Sequence, residues 1–383
     1  MLKIEYLEYF LKHRHATWLE LFFDLVFVSS IGVVTHNLAH THNNHLTPEQ
    51  IWLFPLQFII IWWIWIVHTL FSNRFNHDNR IERIFSLTIM FLMIVMAAFF
   101  GDDLFQNYPA FVGFYAVIKL ILVFLFFRAS NQDRHSVSYA RKSGYIILLG
   151  TGISAISISL ETPLREIVLV SGILVEMLGI YLVSTRNLEK PKPVHREHMV
   201  ERIGLLSIIL LGESIISLTG TLRNVNWDIL SIVAAVTGFI MIGLIWWIYY
   251  DSFHVNERIK SMTNGFPMLY SHLFLAMGFV ILANVIRHAI LNDLNMNEFR
   301  ILAITGMSFF YIGKQTVYIV FIPPFRKRMT INTLVCIFIT IASTFLPKME
   351  YTLVGITIGM LFYTFANFKF ILTKDISEYV TKD

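Results

Sequence analysis

Charge is what this chain has least of. Only 15% of its 383 residues are Asp, Glu, Lys or Arg, against roughly a quarter in a soluble domain. With 56% hydrophobic residues and a mean hydropathy of +0.62, an ordinary water-soluble fold is excluded. A lone cysteine, Cys336, excludes an intrachain disulfide. No P-loop, Rossmann glycine pattern, nucleophile elbow or HExxH occurs, so nothing supports a nucleotide-driven pump or a zinc protease. The pattern specifies no cofactor. A cleavable signal peptide is also missing. The first 18 residues mix Lys3, Lys12 and Arg14 with Glu5 and Glu8 and end in no small-residue cleavage site.

What is present is a series of apolar runs, many near the roughly 20 residues that cross a hydrocarbon core. They do not alternate, which sets aside a β-barrel. The chain reads as an all-α polytopic membrane protein whose obvious partner is the lipid bilayer. Twelve spans are expected, at 19–36, 51–71, 84–100, 110–127, 144–160, 167–184, 202–220, 229–250, 266–286, 300–322, 331–346 and 351–371. Twenty-one lysines and arginines fall in the segments on the N-terminal side, and only Arg165, Arg223, Arg287 and Lys348 in the opposite loops. That bias predicts a cell-membrane protein with both termini in the cytoplasm. It also accounts for the pI near 9.0 without nucleic-acid binding. The tryptophans Trp52, Trp62, Trp63, Trp65, Trp227, Trp246 and Trp247 mostly fall near expected span ends and read as interfacial belts.

The two halves echo each other. Trp62-Trp63-Ile64-Trp65 matches Trp246-Trp247-Ile248-Tyr249. Phe114-Tyr115 with Lys119 matches Phe310-Tyr311 with Lys314, and Gly172 with Met177-Leu178 matches Gly355 with Met360-Leu361. Six spans per half is an even number, so the expectation is two parallel repeats with a ligand site at their shared interface. The layout predicted is an amphipathic cytoplasmic lead-in (1–18), a first repeat (19–184), a Pro-containing linker (185–200), a second repeat (201–371) and a tail (372–383).

Ionisable residues inside spans are the candidates for function, because each costs at least a few kcal/mol to place there. Lys119, Glu176, Glu213 and Lys314 form the expected polar core or pathway. A Glu213–Lys314 ion pair is feasible by depth, with Gly212 allowing a close helix approach, and Glu176 is the only acid near Lys119 in its half. Arg14, Glu20, Asp24, His68 and Glu201 form a candidate cytoplasmic gate cluster, Glu20 and Asp24 sharing one helix face. Each group also has a structural reading, as ion pairs that fix helix register or as acids favoured at a helix N-terminus. The first outer loop holds His36, His40, His42 and His45, which could collect a transition metal but have no cysteine or nearby carboxylate to help.

Arg14 to Val28, with Trp18-Leu-Glu20 and Phe22-Phe23-Asp24 inside it, resembles the opening signature of the bacterial low temperature requirement A (LtrA) family. Asn73-Arg74-Phe75 with Asp78, and Glu201-Arg202-Ile203-Gly204 through Leu211-Gly212-Glu213-Ser214, resemble it too. The resemblance covers essentially the whole chain and implies a link to growth in the cold, without a substrate. A fainter likeness is to two-repeat, six-span potassium channels, through Arg14, Phe22-Phe23-Asp24 and the stretch from Trp63 to His68. The expected function is a transporter or channel for a small solute or ion. The alternatives are an intramembrane lipid-modifying enzyme, short of helix-spaced histidines beyond His195 and His198, or a non-catalytic membrane partner or sensor.

Overall fold

The computed structural model describes residues 14–75, 79–100, 107–132, 137–186, 194–223, 225–259, 265–371 and 378–380. Most of the expected lead-in, the middle of the linker and most of the tail lie outside the described residues. Among the described residues there is no strand element, only helices and two isolated bridges.

The helices are α1 (Trp18–Ala39), α2 (Pro48–Phe75), α3 (Arg80–Ala97), α4 (Tyr108–Gln132), α5 (Val137–Ile156), α6 (Leu164–Arg186), α7 (Arg196–Leu222), α8 (Ile229–Tyr250), the short α9 (Phe253–Arg258), α10 (Phe266–Leu291), α11 (Met296–Phe321), α12 (Pro323–Ser343) and α13 (Met349–Ala366). A helix of 18 residues or more overlies each expected span. Nine of them are long and apolar enough to cross a membrane. The other three, α3, α11 and α12, carry Arg80, Glu82 and Arg83, or Lys314 and Gln315, or Arg326, Lys327 and Arg328. In α12 the helix starts on Pro323-Pro324, earlier than the apolar run suggests, because proline suits a first turn whose N–H groups are unpaired anyway.

Local chemistry sets the starts. Thr17 and Glu20 bond reciprocally at the head of α1: Glu20 N donates to Thr17 Oγ1 (3.2 Å) and Thr17 N to a Glu20 carboxylate oxygen (2.8 Å). Thr47 and Gln50 do the same for α2 (3.2 and 2.7 Å). Each satisfies two backbone donors that the helix cannot.

The chain divides into two compact units. The first takes residues up to Val34, Leu56–Arg202 and the start of α10 at Phe266; the second takes Thr35–Pro55, the stretch from Ile203 to Met262, and Pro267 onward. In the first, α2 is the inner helix: every residue from 60 to 75 is buried. That corrects the belt reading for Trp62, Trp63 and Trp65, which are all packed inside at 1% exposure or less. Trp52, Trp227, Trp246 and Trp247 are exposed. In the second unit α10 is the inner helix, 89% of its apolar window being buried. The outer helices show their apolar side chains instead, as Leu174, Leu178 and Leu182 do on α6 and Val236, Phe239 and Ile240 on α8. Such faces suit lipid. Because lipid is as apolar as leucine, cohesion inside each unit comes from close packing and polar contacts rather than from escape from water.

Glycines set the closest approaches. A Cβ on Gly172 of α6 would meet Ser154 and the Gly150 carbonyl of α5. Gly212, expected to serve this purpose on α7, faces open space.

Candidate functional site

The first unit holds a largely buried polar network. Besides the capping bond from Thr17, the Glu20 carboxylate lies 3.1 Å from His198 Nε2, 3.5 Å from Arg14 and 3.7 Å from Arg202. One turn along α1, Asp24 Oδ1 accepts from Trp65 Nε1 (2.7 Å), Arg202 NH2 (3.1 Å) and Arg202 Nε (3.3 Å). Three donors crowd one oxygen. Asp24 Oδ2, also buried, has no hydrogen-bond partner among the described residues.

Arg202 ties the rest together. NH1 donates to Ser72 Oγ (2.6 Å), NH2 lies 3.4 Å from His68 Nδ1, and the guanidinium sits over the Trp65 and Phe23 rings. His68 stacks on Phe23 with ring centroids 3.8 Å apart, and its Nε2 faces Ser86 Oγ at 3.2 Å. A guanidinium can only donate, so Nδ1 must accept and Nε2 must carry the proton, which makes His68 neutral.

The same reasoning fixes His198. Asn73 Oδ1 accepts from the His195 N–H (3.1 Å), which turns its amide nitrogen toward the His195 carbonyl (3.1 Å) and His198 Nδ1 (2.8 Å). His198 Nδ1 therefore accepts, and Nε2–H donates to Glu20. Arg14, outside the span, donates to the Asn73 carbonyl at 2.8 Å. Burial pushes its guanidinium below the ordinary value, Arg202 adds to that and Glu20 opposes it; it stays charged regardless.

A second buried centre lies in the same unit. Lys119 Nζ is 2.6 Å from Glu176 Oε2, both side chains fully buried. Trp63 Nε1 donates to Glu176 (2.8 Å), Thr151 adds a longer bond (3.4 Å), and Lys119 sits over the Trp63 and Tyr115 rings. The acid that the sequence offers to Lys119 within its half is thus its partner.

The second unit is built differently. Lys314 is buried and forms no ion pair among the described residues; its Nζ donates to Ser252 Oγ and sits 4.4 Å from the Tyr318 ring centroid. Glu213 is half-buried and makes no ion pair among the described residues, so the feasible Glu213–Lys314 bridge does not form. The matched lysines therefore have unlike surroundings.

Of the expected gate cluster, Arg14, Glu20, Asp24 and His68 come together, and Glu201 does not join them. It is partly exposed and holds the Ala16 N–H (3.1 Å) and His15 (3.2 Å). Its neighbour Arg202 does the work, along with His198, Asn73, Trp65 and Trp63. The outer-loop histidines separate. His36 and His40 face each other with Nε2 atoms 2.8 Å apart, while His45 bonds Glu298 at 2.7 Å. Among the described residues no three His, Cys, Asp or Glu side chains gather as a metal cage.

The model of the bacterial low temperature requirement A protein family matches residues 15–364. This chain is a member of the LtrA family. It is also similar to an uncharacterized protein of Rhizobium meliloti (strain 1021), 24% identical over 284 residues, which is 70% of this chain and 68% of that one. The motifs that carry the resemblance in the sequence include Glu20, Asp24, Asn73 and Arg202. In an LtrA protein, then, those positions sit together in one buried network.

Proposed function

We propose that this LtrA protein is a transporter or channel that moves a small solute or an ion, with its pathway running past the buried network of the first unit. The observation that carries the reading is Asp24: a carboxylate wholly inside an apolar helix bundle, saturated on one oxygen and unpartnered on the other. A purely structural ion pair gains most when every lone pair is met. An oxygen held ready beside neutral His68 and charged Arg202 suits a group that takes up a proton or a cation and gives it back. Buried ionisable groups in membrane spans commonly mark such paths.

The same reading takes all twelve long helices as spans, in two parallel six-helix repeats with both termini cytoplasmic. Charge bias supports the orientation. A pair of equivalent close approaches supports the repeat: a Cβ on Gly172 would meet Ser154, and one on Gly355 would meet Ser343. Lys119 and Glu176 line the core of the first repeat, Lys314 and Glu213 that of the second.

The test is flux. Purified protein in liposomes is given a potassium diffusion potential while internal pH is followed, with Asp24→Asn and Glu213→Gln beside wild type. Proton movement that wild type shows and Asp24→Asn lacks is the expected result. Equal behaviour of wild type and Asp24→Asn, in flux and in growth in the cold, would remove the reading and raise the enzyme and partner alternatives.

A further inference from the structure

In the second unit the start of α8, the end of α10 and the starts of α11 and α13 line an open cavity of about 430 Å³. Its walls include Asn226, Asp228, Ser231, Lys348 and Glu350, with Leu230 and Met296 as apolar contacts. Asp228 is committed to its own helix, where Oδ1 accepts from Ser231 N at 2.7 Å as the cap of α8. Ser231 in turn donates to the Ile290 carbonyl. Glu350 has no such tie. It is only 6% exposed, and its Oε2 is buried without a hydrogen-bond partner among the described residues.

The first turn of α13 favours a negative charge through the helix dipole. That accounts for an acid at this position, but not for one this deeply buried with an oxygen left unpaired among the described residues. Buried carboxylates are ordinarily paired or coordinated. Two carboxylates against one lysine leave the lining net negative by one.

We propose that this cavity binds a small organic cation bearing a primary or quaternary ammonium group, with Glu350 as its counterion. A cavity of this size lies within the range that small-molecule sites occupy. The ammonium sits against Glu350, Asp228 strengthens the negative field from the cap of α8, and Leu230 and Met296 take the carbon skeleton. Lys348 at the wall disfavours doubly charged cations and metal ions. As an entry subsite for the transported solute the proposal rests on the transport reading; as a binding site it does not.

The experiment is a thermal-stability titration of the full protein in nanodiscs with methylammonium, choline, glutamate and magnesium as probes. Saturable stabilisation by methylammonium or choline, with glutamate and magnesium inert, is expected. Glu350→Gln should weaken the apparent affinity roughly 10- to 100-fold, as for loss of one charge-assisted contact. Met296→Trp, which narrows the cavity at the apolar wall and keeps the carboxylate, should weaken the effect and covers the case in which Glu350→Gln fails to fold. An equal response of wild type and Met296→Trp, or no saturable response to either ammonium probe, overturns the proposal. Because no flux is read, ammonium binding in a protein that moves no protons leaves this site standing and removes only the transport reading.

Discussion

Arg202 of α7 grips a single oxygen of Asp24 on α1 through two nitrogens, at 3.1 and 3.3 Å, across 178 residues of chain. Both side chains are 0% exposed. Removing Arg202 leaves Asp24 with Trp65 alone, and removing Asp24 leaves Arg202 with Glu20 at 3.7 Å and Ser72, so each loss should approach that of a broken buried pair, about 3–5 kcal/mol. Arg202→Leu and Asp24→Leu should each lower the unfolding midpoint in detergent strongly. The double variant should cost far less than their sum. Measured midpoints that add to within about 0.5 kcal/mol would mean that the two residues do not act as a pair.

The two buried lysines should behave differently, although the sequence presents them as counterparts. Lys119→Met strands Glu176 and should cost about 3–5 kcal/mol. Lys314→Met strands no ion-pair partner among the described residues and removes one hydrogen bond, to Ser252, worth about 0.5–3 kcal/mol. Trp63→Phe takes one donor from Glu176 and should also fall in that smaller range. Denaturation of the three variants under one condition ranks them. A larger loss for Lys314→Met than for Lys119→Met would contradict the assignment.

Helices were legible in the sequence because apolar run length and charge placement act locally, and so were the nearness of Lys119 to Glu176 and the gathering of Arg14, Glu20, Asp24 and His68, though not any role for them. Arg202 was not singled out for a physical reason. It opens the seventh apolar run, where a cation reads as an interfacial end, and nothing local shows that its helix turns it inward onto Asp24. Trp65 and Trp63 were hidden in an aromatic stretch whose composition fits an interface equally well. Only the packing of α2 shows their indole N–H groups meeting carboxylates. Glu213 and Lys314 failed as a pair because equal depth along two helices says nothing about which faces turn toward each other.

Helix spacing offers a separate test. Gly172 lies one turn before Glu176, and a side chain there must push against Ser154 and the backbone of Gly150. Gly172→Val should therefore separate α5 from α6 and loosen the Lys119–Glu176 pair, at about 1–3 kcal/mol for overpacking alone. Gly212→Ala meets nothing and should be neutral or stabilising by up to about 1 kcal/mol, through helix propensity. Thermal melts of the two variants should move in opposite directions or leave Gly212→Ala unchanged. A loss for Gly212→Ala as large as that for Gly172→Val would sink the packing argument.

Acid should weaken the turn between α10 and α11 in a predictable direction. Burial raises the Asp293 carboxyl, but His288 (2.6 Å) and Arg287 (2.9 Å) outweigh it and hold the group below the ordinary carboxylate value. A carboxylate depressed on folding binds its proton more readily in the unfolded chain. Its stabilisation is therefore complete above the unfolded value near pH ~4 and fades as pH falls through the lower, folded one. Asp293→Asn should thus reduce the melting temperature at pH 7, by an amount matching about 1 kcal/mol or less for a pair that is partly exposed. As pH falls below ~4 the gap between variant and wild type should shrink, and it should close only below the depressed folded value, where wild type loses the same charge. A gap that stays constant from neutral to acid pH would place the effect of the substitution in packing rather than in charge.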